Sequence, residues 1–283
     1  MRSVREAIAE ATAVLTEAGI DAPRVDAELL AAAVLGVPRG RLALAPGFDA
    51  AAAARFAGLV EQRAARRPVQ HLVGYAPFRL RELAVGPGVF IPRPETELLV
   101  DWGLARLRGL AAPLVADLCA GTGAIALSVA QEHPGARVLA VEDDPQALEW
   151  LRRNATDAVT VVAGDVTDPA TLSTVDGQVD LVLCNPPYVP DGTPVQPEVA
   201  DHDPHRAVFA GPDGLAVIRP VTGRAAALLR PGGWLGIEHD DSHGATVPAL
   251  LRATGAWSDV TDHRDLAGRP RFATARRLAD FTS

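Results

Sequence analysis

Lysine is absent from this chain, and all 27 of its basic residues are arginine. A Schiff-base lysine and a phosphate-loop lysine are therefore both excluded. Cysteine occurs only twice, as Cys119 and Cys184. Both stand in apolar, strand-like stretches and read as small core residues of a reducing compartment. No uninterrupted apolar run approaches the length that spans a bilayer. The opening residues Met1-Arg2-Ser3-Val4-Arg5-Glu6 lead into an amphipathic pattern containing acids, unlike a secretory signal. A cytoplasmic protein without membrane attachment is expected. Clustered cations are scarce as well. The formal net charge is −8, a poor basis for gripping nucleic-acid backbone. Residues 1–72 hold nine arginines and eight acids, so the acidity lies in the remainder and no basic arm is implied.

The 283 residues suffice for one large domain or two ordinary ones, and 48% are apolar, enough for a packed core. Residues 1–72 read as a small helical bundle. Val4, Ile8, Ala11, Leu15 and Ala18 recur at helical spacing, with Gly19 as the stop. Val25, Leu29, Leu30, Ala33 and Val34 form a second stripe ending near Gly36. A short helix fits between Pro38 and Leu44, and Asp49 is a good N-cap for a helix running to about Arg66. Few polar constellations occur here, so a structural or partner-binding role is expected.

Residues 73–91 change character. Gly74, Pro77, Gly86, Pro87 and Gly88 punctuate short apolar pieces, and Phe78-Arg79-Leu80 with Leu83-Ala84-Val85 suggest a β-hairpin linker. From about Pro94 strands and helices alternate. The strands are Leu114–Ala116, Arg137–Val141, Val159–Val162, Leu181–Leu183 and Trp234–Ile237. Helices are expected from Gly123, over Pro145–Asn154, and over Ala216–Leu229 with Pro231-Gly232-Gly233 as the stop. Such alternation predicts a parallel α/β sheet covered on both faces, with ligands beyond the carboxyl ends of the strands.

Two motifs occupy that position. Asp117-Leu118-Cys119-Ala120-Gly121-Thr122-Gly123-Ala124 follows a strand and opens a helix, an arrangement suited to a nucleotide-like cofactor. It reads G-x-G-x-x-A, which a nicotinamide site also allows. Glu142 ends the next strand, where an acid can accept both ribose hydroxyls. Asp165 follows the third strand and suits the adenine amino group, with Val166 lining the ring's face. Asn185-Pro186-Pro187-Tyr188 closes the apolar run Val179–Cys184 and decides the chemistry. The prolines hold the backbone extended and its carbonyls in set directions. The Asn185 side-chain oxygen and the Pro186 carbonyl can accept from one NH2 group while Tyr188 stacks on its plane. An amide nitrogen is a poor nucleophile because its lone pair is delocalised. Two acceptors raise its electron density as the bond forms and aim it at an electrophilic methyl. The expectation is methyl transfer from S-adenosylmethionine to an amide or amino nitrogen, with no strong general base required.

Other candidates carry less. His239 and His243 are four apart and His202 and His205 three apart, spacings that suit a metal on a helix. Both pairs lie in loop-like stretches, so solvated or capping histidines are expected, and no metal site. Ser128 and Ser242 lack the nucleophile-elbow context of a hydrolase.

Over nearly its whole length the chain resembles the protein-(glutamine-N5) methyltransferase family that modifies peptide-chain release factors. The resemblance is carried by Ile91-Pro92-Arg93-Pro94-Glu95-Thr96-Glu97, by Asp117 to Leu127, by Asn185-Pro186-Pro187-Tyr188, by Gly211-Pro212-Asp213-Gly214-Leu215, and more weakly by Asp265-Leu266-Ala267-Gly268-Arg269. It implies a helical partner-docking domain over 1–72, a hairpin linker over 73–91, and a Rossmann-like class I methyltransferase domain over 92–283. It implies that Cys119, Ala120, Gly121, Thr122, Gly123, Glu142, Val166 and Asn185 contact the cofactor. It implies that Asn185, Pro186, Pro187 and Tyr188 hold the glutamine of a Gly-Gly-Gln loop on a class I release factor. The chain departs from the family pattern twice. An aromatic residue is common where Val166 stands, and a glutamine commonly follows the strand bearing Glu238, where this chain has His239-Asp240-Asp241-Ser242-His243.

Three rival readings remain. An adenine-N6 methyltransferase on DNA or RNA uses a similar grip but must extrude a base and bind phosphates, which the acidic balance disfavours. A non-catalytic cofactor-binding protein would not need Asn185 and Tyr188. A nicotinamide dehydrogenase leaves residues 185–188 unexplained.

Overall fold

In a computed structural model, residues 2–279 are described. Met1 and residues 280–283, the outer ends of the expected 1–72 and 92–283 domains, lie outside the described residues. The chain forms two compact units. The first comprises the chain as far as Tyr75, residues 85–87 and the segment Val195–His202; the second comprises the remainder.

The first unit is helical: α1 (Val4–Glu17), α2 (Pro23–Leu35), α3 (Ala50–Ala64) and α4 (Val69–Val73). Ser3 caps the start of α1. The Ser3 hydroxyl donates to Glu6 at 2.7 Å and accepts the Glu6 N–H at 3.3 Å. Val4, Ala7, Ala11 and Leu15 are its buried stripe. Asp49 caps α3 by accepting the Ala52 N–H at 2.7 Å. The expected stripe on α2 is rotated in the structure. Its buried face is Asp26, Ala27, Leu30, Ala31 and Ala32, and Val25 is exposed. Asp26 is inside because Arg63 of α3 bonds it at 2.7 Å, an ion pair that an apolar pattern does not register. The same Arg63 donates to Glu198 at 2.9 Å, and Arg66 donates to the other Glu198 oxygen at 2.8 Å.

The hairpin, which apart from Tyr75 belongs to the second unit, is β1 (Tyr75–Phe78) and β2 (Arg81–Ala84), starting two or three residues earlier than the pattern suggests. The turn is held where Arg79 bonds Glu132 through two nitrogens, at 2.6 and 2.7 Å. There follow α5 (Thr96–Leu107), β3 (Leu114–Leu118), α6 (Ala124–Glu132), β4 (Arg137–Glu142), α7 (Pro145–Asn154), β5 (Val159–Ala163) and β6 (Val179–Cys184). Two short helices, α8 (Pro197–His202, in the first unit) and α9 (His205–Val208), precede α10 (Ile218–Leu228), β7 (Leu229–Glu238), α11 (Thr246–Ala253), β8 (Trp257–Arg264) and β9 (Pro270–Arg277).

The sheet runs β5-β4-β3-β6-β7-β9-β8. From β5 to β7 all neighbours are parallel, and β9 lies antiparallel between β7 and β8. This is the Rossmann-like methyltransferase arrangement that the resemblance implies. Alternate strand residues feed two cores. Val115, Leu181 and Leu183 pack with Leu99, Leu127 and Leu151 of α5, α6 and α7. Ala116, Val182 and Cys184 pack with Ile218, Val221 and Leu251 of α10 and α11. Pro231-Gly232-Gly233 does not stop a helix. The helix ends at Leu228, and these residues form a bulge within β7, where the register jumps from Val179 opposite Leu229 to Leu181 opposite Trp234.

Candidate active site

The chain steps outward from β3 to β4 and β5, then returns to β6 on the other side of β3. The topological switch point therefore lies between β3 and β6, where doubly wound sheets bind ligands. The two motifs singled out in the sequence leave the carboxyl ends of those two strands.

After β3 the chain turns sharply. Cys119, Gly121 and Gly123 all have positive φ, at 64°, 55° and 87°. Cys119 adopts this region at a cost of about 1–2 kcal/mol. At Gly123 a side chain is excluded, since a Cβ would lie 2.8 Å from Leu151 and 2.9 Å from Leu127. Beside Gly121 a Cβ would meet nothing within 4 Å, so the backbone there faces open space. Ala120 and Thr122 are buried, which leaves backbone as what they can offer a ligand. Asp117 lies beneath the turn, fully buried. Its Oδ2 accepts the Ala126 N–H at 3.0 Å, and Oδ1 has no hydrogen-bond partner among the described residues. Burial pushes this carboxyl up to about 8.

Glu142 ends β4 and ties the two loops together. Its Oε2 accepts the Gly121 N–H at 2.8 Å, and its Oε1 accepts those of Asp143 and Asp144, both at 3.0 Å. Burial raises its pKa, and the N–H groups of Asp144 and Gly121 oppose that. Asp165 is exposed beyond β5. Its Oδ1 accepts from the Thr167 hydroxyl and N–H, each at 2.7 Å, which lowers its pKa. Val166 is buried in the core with Val141.

Asn185 follows β6 directly. Its Nδ2 donates to the Thr96 hydroxyl at 3.2 Å. With the amide nitrogen turned inward to Thr96, the amide oxygen is left as an acceptor. Pro186 is buried and Pro187 half-buried. Neither has an N–H to compete for neighbouring acceptors. The next residues are anchored by their backbone, Tyr188 and Val189 both donating to the Val208 carbonyl, at 3.2 and 2.9 Å. Burial pushes the Tyr188 phenol up, while the nearby Arg271 charge opposes the shift.

Sequence reasoning passes over Thr96 as an individual residue, although it stands inside the motif Ile91–Glu97. Its neighbours in that motif are also engaged. Glu97 accepts the Arg79 N–H at 3.0 Å, and Arg93 pairs with Asp203 at 2.7 Å. Gly214, within the motif Gly211–Leu215, lies against the Tyr188 carbonyl. His239 and His243 are not solvated. Both are buried. His239 bonds Asp262 through Nε2 at 3.0 Å, and His243 donates from Nε2 to the Asp213 carbonyl at 2.9 Å. Among the described residues no group of three or more side chains is placed to hold a metal ion. Cys184 is buried at the end of β6, as expected; Cys119 is half-buried and belongs to the turn, not to a strand.

The chain is similar to known proteins over its whole length. Residues 6–74 match the PrmC N-terminal domain family, and residues 95–202 match the methyltransferase small domain family. It is 55% identical over 280 residues to the release factor glutamine methyltransferase of Mycolicibacterium smegmatis, covering 99% of each chain. It is 44% identical over 268 residues to the 4-amino-L-phenylalanine/4-methylamino-L-phenylalanine methyltransferase of Streptomyces pristinaespiralis, covering 92% of this chain and 90% of that one. Among solved structures, the hMettl16 catalytic domain in complex with MAT2A 3'UTR hairpin 6 aligns with a TM-score of 0.56 at 18% identity. That alignment covers 83% of this chain and 84% of that one, a likeness of fold. On the identity and coverage of these relatives, and on a methyltransferase sheet with Asn185 at its switch point, the chain belongs to the release factor glutamine methyltransferase family.

Proposed function

We infer that this chain transfers a methyl group from S-adenosylmethionine to N5 of the glutamine in the Gly-Gly-Gln loop of a class I peptide-chain release factor. The observation that carries the reading is the Asn185 amide, pinned at its nitrogen by Thr96 with its oxygen left to accept. The chemistry of the strand edge fits S-adenosylmethionine. Open backbone lies beside Gly121, a carboxylate stands at Glu142, and Asp117 keeps a buried oxygen without a partner. Residues Cys119 to Gly123, Glu142, Asp165, Val166 and Asn185 would hold the cofactor, with Asp117 beneath them. When bound, S-adenosylmethionine supplies an electrophilic methyl on a positively charged sulfur.

The protein's own part is placement. Asn185 Oδ1 and the Pro186 carbonyl take the two hydrogens of the glutamine NH2, and Tyr188 covers its plane. Held this way, the nitrogen loses its freedom to rotate, and its charge is stabilised as it develops. The amide proton becomes acidic only after methylation, so a weak acceptor suffices to remove it. We assign docking of the release factor to the helical residues 1–72. The reading implies a cytoplasmic enzyme. Among the described residues no helix is long and apolar enough to cross a membrane.

A second reading has one observation behind it: the Streptomyces pristinaespiralis relative is named for an amine carried on an aromatic ring. An arylamine also presents a flat NH2 group to the same two acceptors. One assay separates the readings. Labelled S-adenosylmethionine is offered with a class I release factor, with 4-amino-L-phenylalanine, with single-stranded DNA and with RNA, and the methyl is located by mass spectrometry. Label on the Gly-Gly-Gln glutamine supports the first reading, and label only on the free amine or the nucleic acid overturns it. Asn185→Ala should cut turnover by about 10²–10³-fold, the loss expected for a donor or acceptor aimed at developing charge, while most cofactor affinity is retained. Equal loss of both would undercut its role.

A further inference from the structure

The grip residues rest on a second layer of polar groups shielded from solvent. Thr96 accepts from Asn185 Nδ2 at 3.2 Å, and its hydroxyl is near enough to the Glu238 carboxyl to draw that group's pKa down. Glu238 is the last residue of β7 and 1% exposed. Its Oε1 is buried without a hydrogen-bond partner among the described residues, a costly arrangement if stability were its only purpose. Tyr188 is held from the same layer. The Arg271 guanidinium of β9 lies near the phenol and favours its ionised form, and Asp265 Oδ2 accepts from Arg271 at 3.0 Å. The turn Asp265–Arg269 fixes that aspartate, whose Oδ1 accepts the N–H groups of Ala267 and Arg269, both at 2.9 Å. The weakest of the five sequence motifs thus reaches the grip through Arg271.

We propose that Glu238 is a positioning residue for methyl transfer, orienting and polarising Asn185 through Thr96; the inference rests on residues 185–188 being the substrate grip. The Asn185 N–H donates to the Thr96 oxygen, which leaves the Thr96 proton to point at the neighbouring carboxylate. A reversed amide would set its oxygen against a hydroxyl already committed as a donor, so the acceptor end stays outward. Hydrogen bonds in series also strengthen one another. Negative charge on Glu238 draws the Thr96 proton, makes its oxygen a better acceptor, draws the amide N–H, and shifts electron density onto Asn185 Oδ1. That atom takes the substrate's N–H. The groups facing Glu238 are Arg271 from β9, Glu95 from the head of α5, the Cys184 thiol at the end of β6, and the Tyr188 phenol. Burial outweighs the influence of the Thr96 hydroxyl and Arg271 and pushes the Glu238 carboxyl up to about 7, within the range of an ordinary assay.

The test uses the full chain, S-adenosylmethionine and intact release factor. Glu238→Gln, Thr96→Val and Thr96→Ser are compared with the wild type for kcat and KM across about pH 6–9. Cofactor Kd is measured by calorimetry and folding by thermal melting. Wild-type kcat should rise through about pH 7. Glu238→Gln and Thr96→Val should lose about tenfold or more in kcat and lose that rise, with KM and cofactor Kd little changed. Thr96→Ser, which keeps the hydroxyl, should recover the turnover that Thr96→Val loses. Folded Glu238→Gln with wild-type kcat and the same rise overturns the inference. If Glu238→Gln does not fold, Thr96→Val decides by the same criterion. A wild type that leaves release factor unmethylated refutes the grip reading itself. A wild type that methylates it while the variants match it refutes this inference alone.

Discussion

Gly214 and the main-chain oxygen of Tyr188 lie so close that a Cβ on the glycine would stand 2.3 Å from that oxygen. The same Cβ would be 2.9 Å from the His243 ring and 3.1 Å from Pro190, and the residue has φ of +69°. The motif Gly211–Leu215 is therefore a support under the residues that follow Asn185, and its second glycine fixes how near that support comes. In Gly214→Ala the Tyr188 carbonyl must retreat, and the ring moves with it. We expect about 1–3 kcal/mol of destabilisation, the usual cost of overpacking, together with a loss of kcat larger than the loss of cofactor affinity. Urea unfolding, turnover and calorimetry on one preparation check this. Wild-type kcat in a folded variant would show that the contact is incidental.

Glu142 already holds three N–H groups, so its ionised form is what keeps the loops after β3 and β4 together, and the proposed ribose contact would draw on its remaining lone pairs. Glu142→Gln gives up one acceptor oxygen and sets an NH2 group against N–H donors. Cofactor affinity should fall about tenfold to a hundredfold, while kcat at saturating cofactor changes less. The pH dependence follows from the same carboxylate. Because burial raises its pKa, cofactor affinity should begin to fall at a higher pH than an ordinary glutamate would allow as the solution is acidified, and the glutamine variant should lack that fall. Unchanged affinity by calorimetry would remove Glu142 from the cofactor site.

These relationships explain why some of the molecule is legible in its sequence and some is not. The parallel strands are short apolar runs bounded by Gly and Asp turns, so β3, β4, β5 and β6 can be read locally, as can the N-cap at Asp49. The β8–β9 hairpin escapes such reading, because β8 is an edge strand with little buried surface whose Asp259 has φ of +52° and whose register shifts. Helix α2 reads wrongly by part of a turn because its buried face includes a carboxylate, and only the partner 37 residues away makes that tolerable. The site divides in the same way. Asn185 and the glycine turn announce themselves by residue type and position. Thr96 does not, because its meaning is a contact across 89 residues. Val166 and Asp165 are adjacent in sequence, but one is core and the other bonds within its own turn.

Arg63 gives a test of the helical unit. It and Asp26 are each 7% exposed and bonded at 2.7 Å, and Glu198 takes its other nitrogen at 2.9 Å. Removing one partner of a buried pair strands the other charge and costs about 3–5 kcal/mol. Arg63→Met should therefore lower the unfolding free energy by about that much, whereas Arg24→Met, at a solvent-exposed pair with Glu28, should cost about 0.5 kcal/mol or less. Adding Asp26→Asn to Arg63→Met should recover part of the loss, since it removes the stranded charge. Equal effects of the two single substitutions in urea would show that Arg63 is solvated.

Asp117 links the cofactor turn to stability against pH. Burial pushes its carboxyl from an ordinary 3.8 to about 8 in the folded chain. Between those values the folded protein keeps a proton that the unfolded chain has released. The stabilising contribution is complete below about pH 4 and disappears as pH rises through about 8. Without cofactor, the wild type should lose stability from pH 5 to pH 8, by at most about 1.4 kcal/mol per pH unit for each such group. Asp117→Asn retains an acceptor for the Ala126 N–H and cannot titrate, so its slope should be shallower. It should not vanish, because Glu238 contributes in the same direction up to about 7. Urea midpoints measured at pH 5 and pH 8 for both proteins decide the matter: parallel losses would mean that Asp117 is already ionised in the folded state, and that the turn after β3 sits over a negative charge.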